Sequence, residues 1–182
     1  EVLANLAAGI FILPFFLFSA TCGQLADKYD KAMLARMVKV LEMGIMLVAA
    51  AGFALHSLPL LLSALFLLGL HSTLFGPVKY AILPQHLKEE ELIGGNALVE
   101  AGTFVAILIG TLAGGLLAGA GGDPVWVAGA GFVVAALGWL ASRGIPVAPA
   151  PAPQLVVSPN PLTETWRNIG FARENRTVFL SI

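Results

Sequence analysis

The chain has 182 residues, of which 58% are hydrophobic and 12% charged, with a formal net charge of −1. A soluble domain carries about 25% charged residues, so composition excludes a water-soluble globule, and the near-neutral balance argues against a nucleic-acid partner. The single cysteine, Cys22, leaves no internal disulfide to form and reads as a small apolar residue at a helix end.

The first apolar run, about Val2 to Cys22, carries no charge. About 20 apolar residues cross a bilayer core, so this run reads as a membrane span, with Pro14 as a kink that neighbouring helices tolerate. A charged hinge follows, Gly23-Gln24-Leu25-Ala26-Asp27-Lys28-Tyr29-Asp30-Lys31. Gly23 there lets two helix ends approach, and Asp27 suits a helix N-terminus through the dipole. The second span covers about Leu34 to Leu55. Lys39 and Glu42 stand at i, i+3 spacing and read as a stabilising pair near one face. His56-Ser57-Leu58-Pro59 predicts a tight turn, with Pro placed to open the next helix.

The third span runs from about Leu60 to Leu83 and carries His71 near its middle and Lys79 near its end, just after Gly76-Pro77. A fourth covers about Asn96 to Ala118, with Glu100 one turn in. Gly110, Gly114, Gly115 and Gly119 form small-xxx-small patterns that permit close helix contact. Gly119 to Pro124 reads as a turn, and the fifth span covers about Val125 to Ala141. The pattern predicts an all-α polytopic transmembrane bundle over residues 1–143.

Lys28, Lys31, Lys88 and Arg143 lie in the loops after spans one, three and five, with Arg36, Lys39 and Lys79 near their edges and Arg167, Arg173 and Arg176 beyond the last span. The loops around His56 and Gly121 hold no Lys or Arg. This asymmetry predicts that the basic loops are cytoplasmic. Residues 144–161 are rich in Pro and Ala and read as an extended central linker. Residues 162–182 read as an amphipathic helix followed by the start of another span. Leu162, Trp166 and Ile169 share one face and Asn160 stands as N-cap. The chain opens at Glu1 within an apparent helix, so it reads as an internal piece of a longer protein.

The hinge resembles the loop between helices two and three of the major facilitator superfamily, whose pattern is Gly-x-Leu-Ala-Asp-Arg-x-Gly-Arg-Lys. Gly23, Leu25, Ala26 and Asp27 match, Lys28 replaces Arg, Lys31 keeps the next basic position, and Asp30 stands where the family carries Gly. The resemblance implies that the five spans are helices two to six of that fold and that Gly23, Asp27, Lys28 and Lys31 gate the cytoplasmic side. Phe75-Gly76-Pro77-Val78-Lys79-Tyr80-Ala81-Ile82-Leu83-Pro84-Gln85 and Leu92-Ile93-Gly94-Gly95-Asn96-Ala97-Leu98-Val99-Glu100-Ala101-Gly102-Thr103 are similar to the bacterial lysophospholipid transporter family. That resemblance implies movement of lysophosphatidylethanolamine from the outer to the inner leaflet of the inner membrane. It also implies re-acylation by an acyltransferase and acyl-carrier-protein synthetase, as a partner or a fused domain.

Ionisable groups inside a span are expensive and mark function. Lys79 is read as a cation for a lipid phosphate, against the alternative of a Lys snorkelling to the interface. Glu100 either pairs with Lys79 or meets an ethanolamine amine. His71 either hydrogen-bonds across helices or touches a head group. A proton-coupled transporter of a small solute, with Glu100 or His71 titrating, is the second reading. A membrane enzyme is disfavoured. No His-x-x-x-x-Asp motif, Gly-x-Ser-x-Gly elbow, phosphate loop or metal-ligand cluster appears, so no cofactor is expected and catalysis belongs outside this stretch.

Overall fold

The computed structural model describes residues 2–119, 123–158 and 160–174. Its helices are α1 (Val2–Lys28), α2 (Lys31–Ala54), α3 (Leu58–Ala81), a short α4 (Leu83–His86), α5 (Leu92–Gly119), α6 (Pro124–Ser142) and α7 (Pro161–Glu174), with a 3-10 turn at Glu89–Glu91. No strand occurs among the described residues. Five segments are long and apolar enough to cross a membrane: α1, α2, α3 with α4, the 3-10 turn with α5, and α6. A helix satisfies its own backbone groups, the condition that hydrocarbon imposes. Each predicted span overlaps one of these segments. The apolar stretch from residue 177 onward and residues 120–122 of the glycine-rich turn lie outside the described residues.

α1 continues through most of the charged hinge to Lys28, because Gln24 to Lys28 contain no helix breaker. Only Tyr29 and Asp30 separate it from α2. The Asp30 side chain accepts from Met33 N at 2.7 Å and caps α2, satisfying one of the donors that a helix start leaves open. At the other end of α2, His56 adopts φ 49°. Its N–H reaches Phe53 O at 3.1 Å, and Ser57 N–H reaches Gly52 O at 2.9 Å. This left-handed C-cap turns the chain within a few residues. Asp123 caps α6 through Val125 N at 2.9 Å.

α3 packs between α1 and α2, and α6 lies on another side of α2. α2 runs antiparallel to both α3 and α6: Gly52 meets Leu61, Met46 meets Gly131 and Lys39 meets Gly138. Between α1 and α3, Gly69 lies against the Phe11 carbonyl and the Pro14 ring so closely that a Cβ there would collide with the backbone. Small side chains permit such approach where hydrophobic driving force between helices is weak. The described core gathers at the basic end, where Ala26, Leu34, Ala35 and Val78 pack with Phe75 and Ile145. α5 contrasts with the rest: none of its residues is buried.

The Pro/Ala-rich linker is extended, yet it is strapped across the hinge. Lys31 N–H donates to Ala148 O at 3.0 Å, Ala148 N–H donates to the second Asp30 carboxylate oxygen at 2.9 Å, and Ala152 N–H donates to Asp27 O at 3.0 Å. Ser158 N–H donates to Gln24 Oε1 at 3.2 Å, and Gln24 Nε2 donates to Glu164 at 2.8 Å, tying α7 to α1. Arg36 reaches the carbonyls of Ser142 and Ile145, at 3.4 and 3.1 Å, and joins α2 to the end of α6.

Candidate functional site

Two polar clusters lie on different sides of α3. The first faces α5. Lys79 Nζ lies 3.9 Å from Glu100 Oε1 and 3.3 Å from Thr103 Oγ1, and the ammonium sits 4.5 Å from the centroid of the neighbouring Tyr80 ring. Thr103 Oγ1 in turn donates to Val99 O at 2.8 Å, which fixes its lone pairs toward Lys79. The Lys79 side chain is 22% exposed and that of Glu100 42%. An ion pair at 3.9 Å in a partly open setting is weak, so both charges can be drawn to a third party without a large penalty. The patch presents a cation, an anion and a hydroxyl side by side, a set suited to a zwitterionic head group.

The second cluster faces α2 and is closed. His71 is 8% exposed. Its Nε2 stands 3.5 Å from Glu42 Oε2 and has no hydrogen-bond partner among the described residues. The same Glu42 oxygen is held by Lys39 Nζ at 2.7 Å, the i, i+3 pair expected from sequence. The His71 ring lies nearly parallel to Phe75, with centroids 6.3 Å apart and an interplanar angle of 15°, and Lys39 Nζ sits 5.4 Å from the same Phe75 ring.

The sequence pattern places His71 with Lys79 and Glu100 as polar groups inside the spans. The structure joins Lys79 to Glu100 and sends His71 elsewhere. Eight residues on a helix amount to about 12 Å of rise and a net turn of about 80°, enough to aim the two side chains at different neighbours. Glu42 and Thr103 join these clusters although no motif marks them. A signal for Glu42 was present: it lies 14 residues before His56, and His71 lies 14 residues after Ser57. In an antiparallel hairpin, positions equidistant from the turn reach the same depth.

At the hinge, Lys28 Nζ lies 5.8 Å from the Tyr29 ring centroid. Lys31 is 1% exposed, and its ammonium has no hydrogen-bond partner among the described residues. Two expectations about this region are corrected. A Cβ at Gly23 would meet nothing within 4 Å, so the described helices make no close approach there. Asp27 lies in the last turn of α1, and the α2 N-terminus is capped by Asp30 instead. The α5 glycines are also open: at Gly110, Gly114, Gly115 and Gly119 an added Cβ meets nothing within 4 Å. Among the described glycines an added Cβ would collide at Gly69, Gly95, Gly131 and Gly52, and only at Gly69 is the nearest atom backbone.

On the amphipathic α7, Trp166 is 70% exposed, while the side chains of Leu162 and Ile169 lie outside the described set. Among the described residues, no group of three His, Cys, Asp or Glu side chains is placed to hold a metal ion.

The family model of the Major Facilitator Superfamily matches residues 1–181. A lysophospholipid transporter LplT of Salmonella newport (strain SL254) is 35% identical over 109 residues, covering 60% of this chain and 26% of the relative. The proteins of the same name from Salmonella heidelberg (strain SL476) and Salmonella agona (strain SL483) match with the same identity and coverage. The matched stretch thus spans about a quarter of the length of these curated relatives. No solved structure matches the chain.

Proposed function

This chain belongs to the Major Facilitator Superfamily and to a multi-pass membrane protein, and on that premise we propose that the whole protein moves lysophospholipids of the lysophosphatidylethanolamine type. The proposed direction is from the outer to the inner leaflet of a bacterial inner membrane, with the central linker cytoplasmic. Re-acylation by an acyltransferase and acyl-carrier-protein synthetase, separate or fused, would then consume the product.

The observation that carries this reading is the Lys79–Glu100 juxtaposition beside the open side of α3. A lysophosphatidylethanolamine head has one phosphate and one ammonium. Lys79 would take the phosphate and Glu100 the amine, so the substrate exchanges one loose ion pair for two better ones and leaves no charge stranded. A charge-assisted hydrogen bond to an ionised partner contributes about 1.5–3 kcal/mol. The names of the relatives support the lipid class, and exposed apolar side chains on α5 such as Leu98, Phe104 and Ile107 would meet a single acyl chain. Gly23, Asp27, Lys28 and Lys31, strapped by the linker, would act at the cytoplasmic gate.

The test is uptake of labelled lysophosphatidylethanolamine by proteoliposomes that contain the full-length protein, with and without a proton gradient. Protein-dependent uptake is expected without a gradient. Lys79→Ala should lower it about tenfold, the equivalent of about 1.4 kcal/mol, while Lys88→Ala on the exposed turn should leave it nearly unchanged. Equal effects of the two substitutions would remove Lys79 from the site. The buried Glu42–His71 contact favours a second reading, a proton-coupled transporter of a small solute. Absence of any lipid movement would select it.

A further inference from the structure

We propose that Tyr80 and Thr103 are specificity-determining residues: with Glu100 they form a box for a primary ammonium, filled in this structure by Lys79 and taken over by the amine of the substrate head group. The inference rests on the lysophospholipid reading and adds to it the residues that choose among amine head groups.

The Lys79 ammonium itself shows what the patch accepts. Its Nζ lies 3.9 Å from Glu100 Oε1, 3.3 Å from Thr103 Oγ1 and 4.5 Å from the centroid of the Tyr80 ring. A carboxylate, a hydroxyl oxygen and an aromatic ring thus meet at one point. Each favours a cation there, the carboxylate through its charge, the hydroxyl through its lone pairs and the ring through its negative face. An ethanolamine head ends in the same group as a lysine side chain, a methylene bearing an ammonium with three donors. What holds Nζ at this point also suits that ammonium.

The hydroxyl at this point can only accept. Thr103 Oγ1 commits its one hydrogen to Val99 O, 2.8 Å away in the preceding turn of α5. Only lone pairs remain toward Lys79, so the contact rewards an N–H. A quaternary ammonium carries no N–H and wraps its charge in methyl groups. It keeps the attraction of the ring and the carboxylate but forfeits the hydrogen bond to Thr103. Glu100 and Thr103 stand at i, i+3 on α5 and therefore present their oxygens on one face. Tyr80 comes from α3, so both helices contribute to the choice.

Lys79 can also give way. Its ion pair is long and its side chain is partly exposed, and a lysine ammonium rides on a flexible four-carbon stem. Tyr80 is 41% exposed, so a head group reaches the ring from outside the bundle. In that head group an oxygen and two carbons join phosphate to amine. With the amine in the box, the phosphate attracts the displaced Lys79 ammonium. One primary ammonium leaves the box and another enters, so its charge is conserved and no covalent bond changes.

The test uses the full-length protein in lipid nanodiscs and in proteoliposomes. Lys79 is followed through the ¹³C signal of its Cε, assigned by its loss in Lys79→Arg. A group beside an aromatic ring is shifted by the ring current, so Tyr80→Leu should displace this signal before any lipid is added. Lysophosphatidylethanolamine should displace it in the unmodified protein. In parallel, uptake is measured for lysophosphatidylethanolamine and for its N-methyl, N,N-dimethyl and N,N,N-trimethyl forms. Uptake by the unmodified protein should fall about tenfold as the N–H groups are lost, the effect of one hydrogen bond to a charged group. Thr103→Val keeps the shape without the hydroxyl and should flatten the series by lowering uptake of the primary amine, and Thr103→Ser should restore the preference. Tyr80→Leu should lower uptake of all four forms. A flat series in the unmodified protein, a Thr103→Val series as steep as the unmodified one, or a Lys79 signal that the lipid does not move overturns the proposal. Should Thr103→Val not fold, the Lys79 signal of the unmodified protein decides. Failure of the unmodified protein to move any of the four lipids sinks the lysophospholipid reading, and displacement of the Lys79 signal by ethanolamine phosphate still decides the ammonium box.

Discussion

The two sides of α3 contrast sharply. Toward α1 and α2 it is packed to backbone contact at Gly69 and encloses His71 against Glu42. Toward α5 it is open, Lys79 and Glu100 remain partly exposed, and the glycines of α5 meet nothing. Both sides are built from the same residue types: glycines, alanines, a carboxylate and a cation. What differs is whether a second helix excludes the surroundings. The closed side keeps its ion pair together, because low polarity makes an unpaired charge expensive. The open side can exchange partners, because its ion pair is loose and reachable.

Identical substitutions on the two sides should therefore have unequal effects. The largest is expected at Gly69→Ala. Its new Cβ meets the Phe11 carbonyl, which cannot move aside as a flexible side chain would, and overpacking of this kind costs about 1–3 kcal/mol. A lowered thermal midpoint of the detergent-purified protein checks it, and an unchanged midpoint would mean that α1 and α3 are not in backbone contact. Next is Lys79→Ala, expected to cut lysophospholipid uptake about tenfold, or about 1.4 kcal/mol, with little change in that midpoint. A matching fall in stability would place Lys79 with the packed side.

Asp30→Ala comes third. It removes both the α2 cap and the bond to Ala148. Loss of an N-cap costs about 1 kcal/mol, and the released linker should be cut faster by protease between residues 149 and 158. Unaltered cleavage would show that the strap holds without Asp30. The smallest effect is expected at Gly114→Ala, since an added Cβ has open space and Ala is the better helix former by about 1 kcal/mol. A loss equal to that at Gly69 would reveal that a segment outside this chain packs on the α5 stripe.

Asp30 also illustrates where pattern matching loses information. It departs from the superfamily hinge, which carries Gly there, and from sequence alone it counts as a mismatch. In the structure one carboxylate oxygen caps α2 and the other holds the linker from 118 residues away in sequence. A pattern confined to the hinge contains no trace of Ala148, so the residue that departs from the family is the one whose side chain both caps α2 and holds the linker.

The sequence by itself determined the fold class and the placement of the apolar segments. Lipid offers the backbone no hydrogen-bond partners, so about 20 apolar residues in a row must become a helix. It also determined local pairs such as Lys39–Glu42, since i, i+3 spacing on a helix is fixed by the backbone. Only the tertiary structure decided which faces meet. Helices that are apolar all round carry no stripe to mark an inner side, and the selection of Gly69 over Gly114, or of Glu42 over Lys79 as the neighbour of His71, is made by contact between segments distant in the chain. Short turns at His56–Ser57 and Tyr29–Asp30 set the depth of each residue, and packing then set its direction.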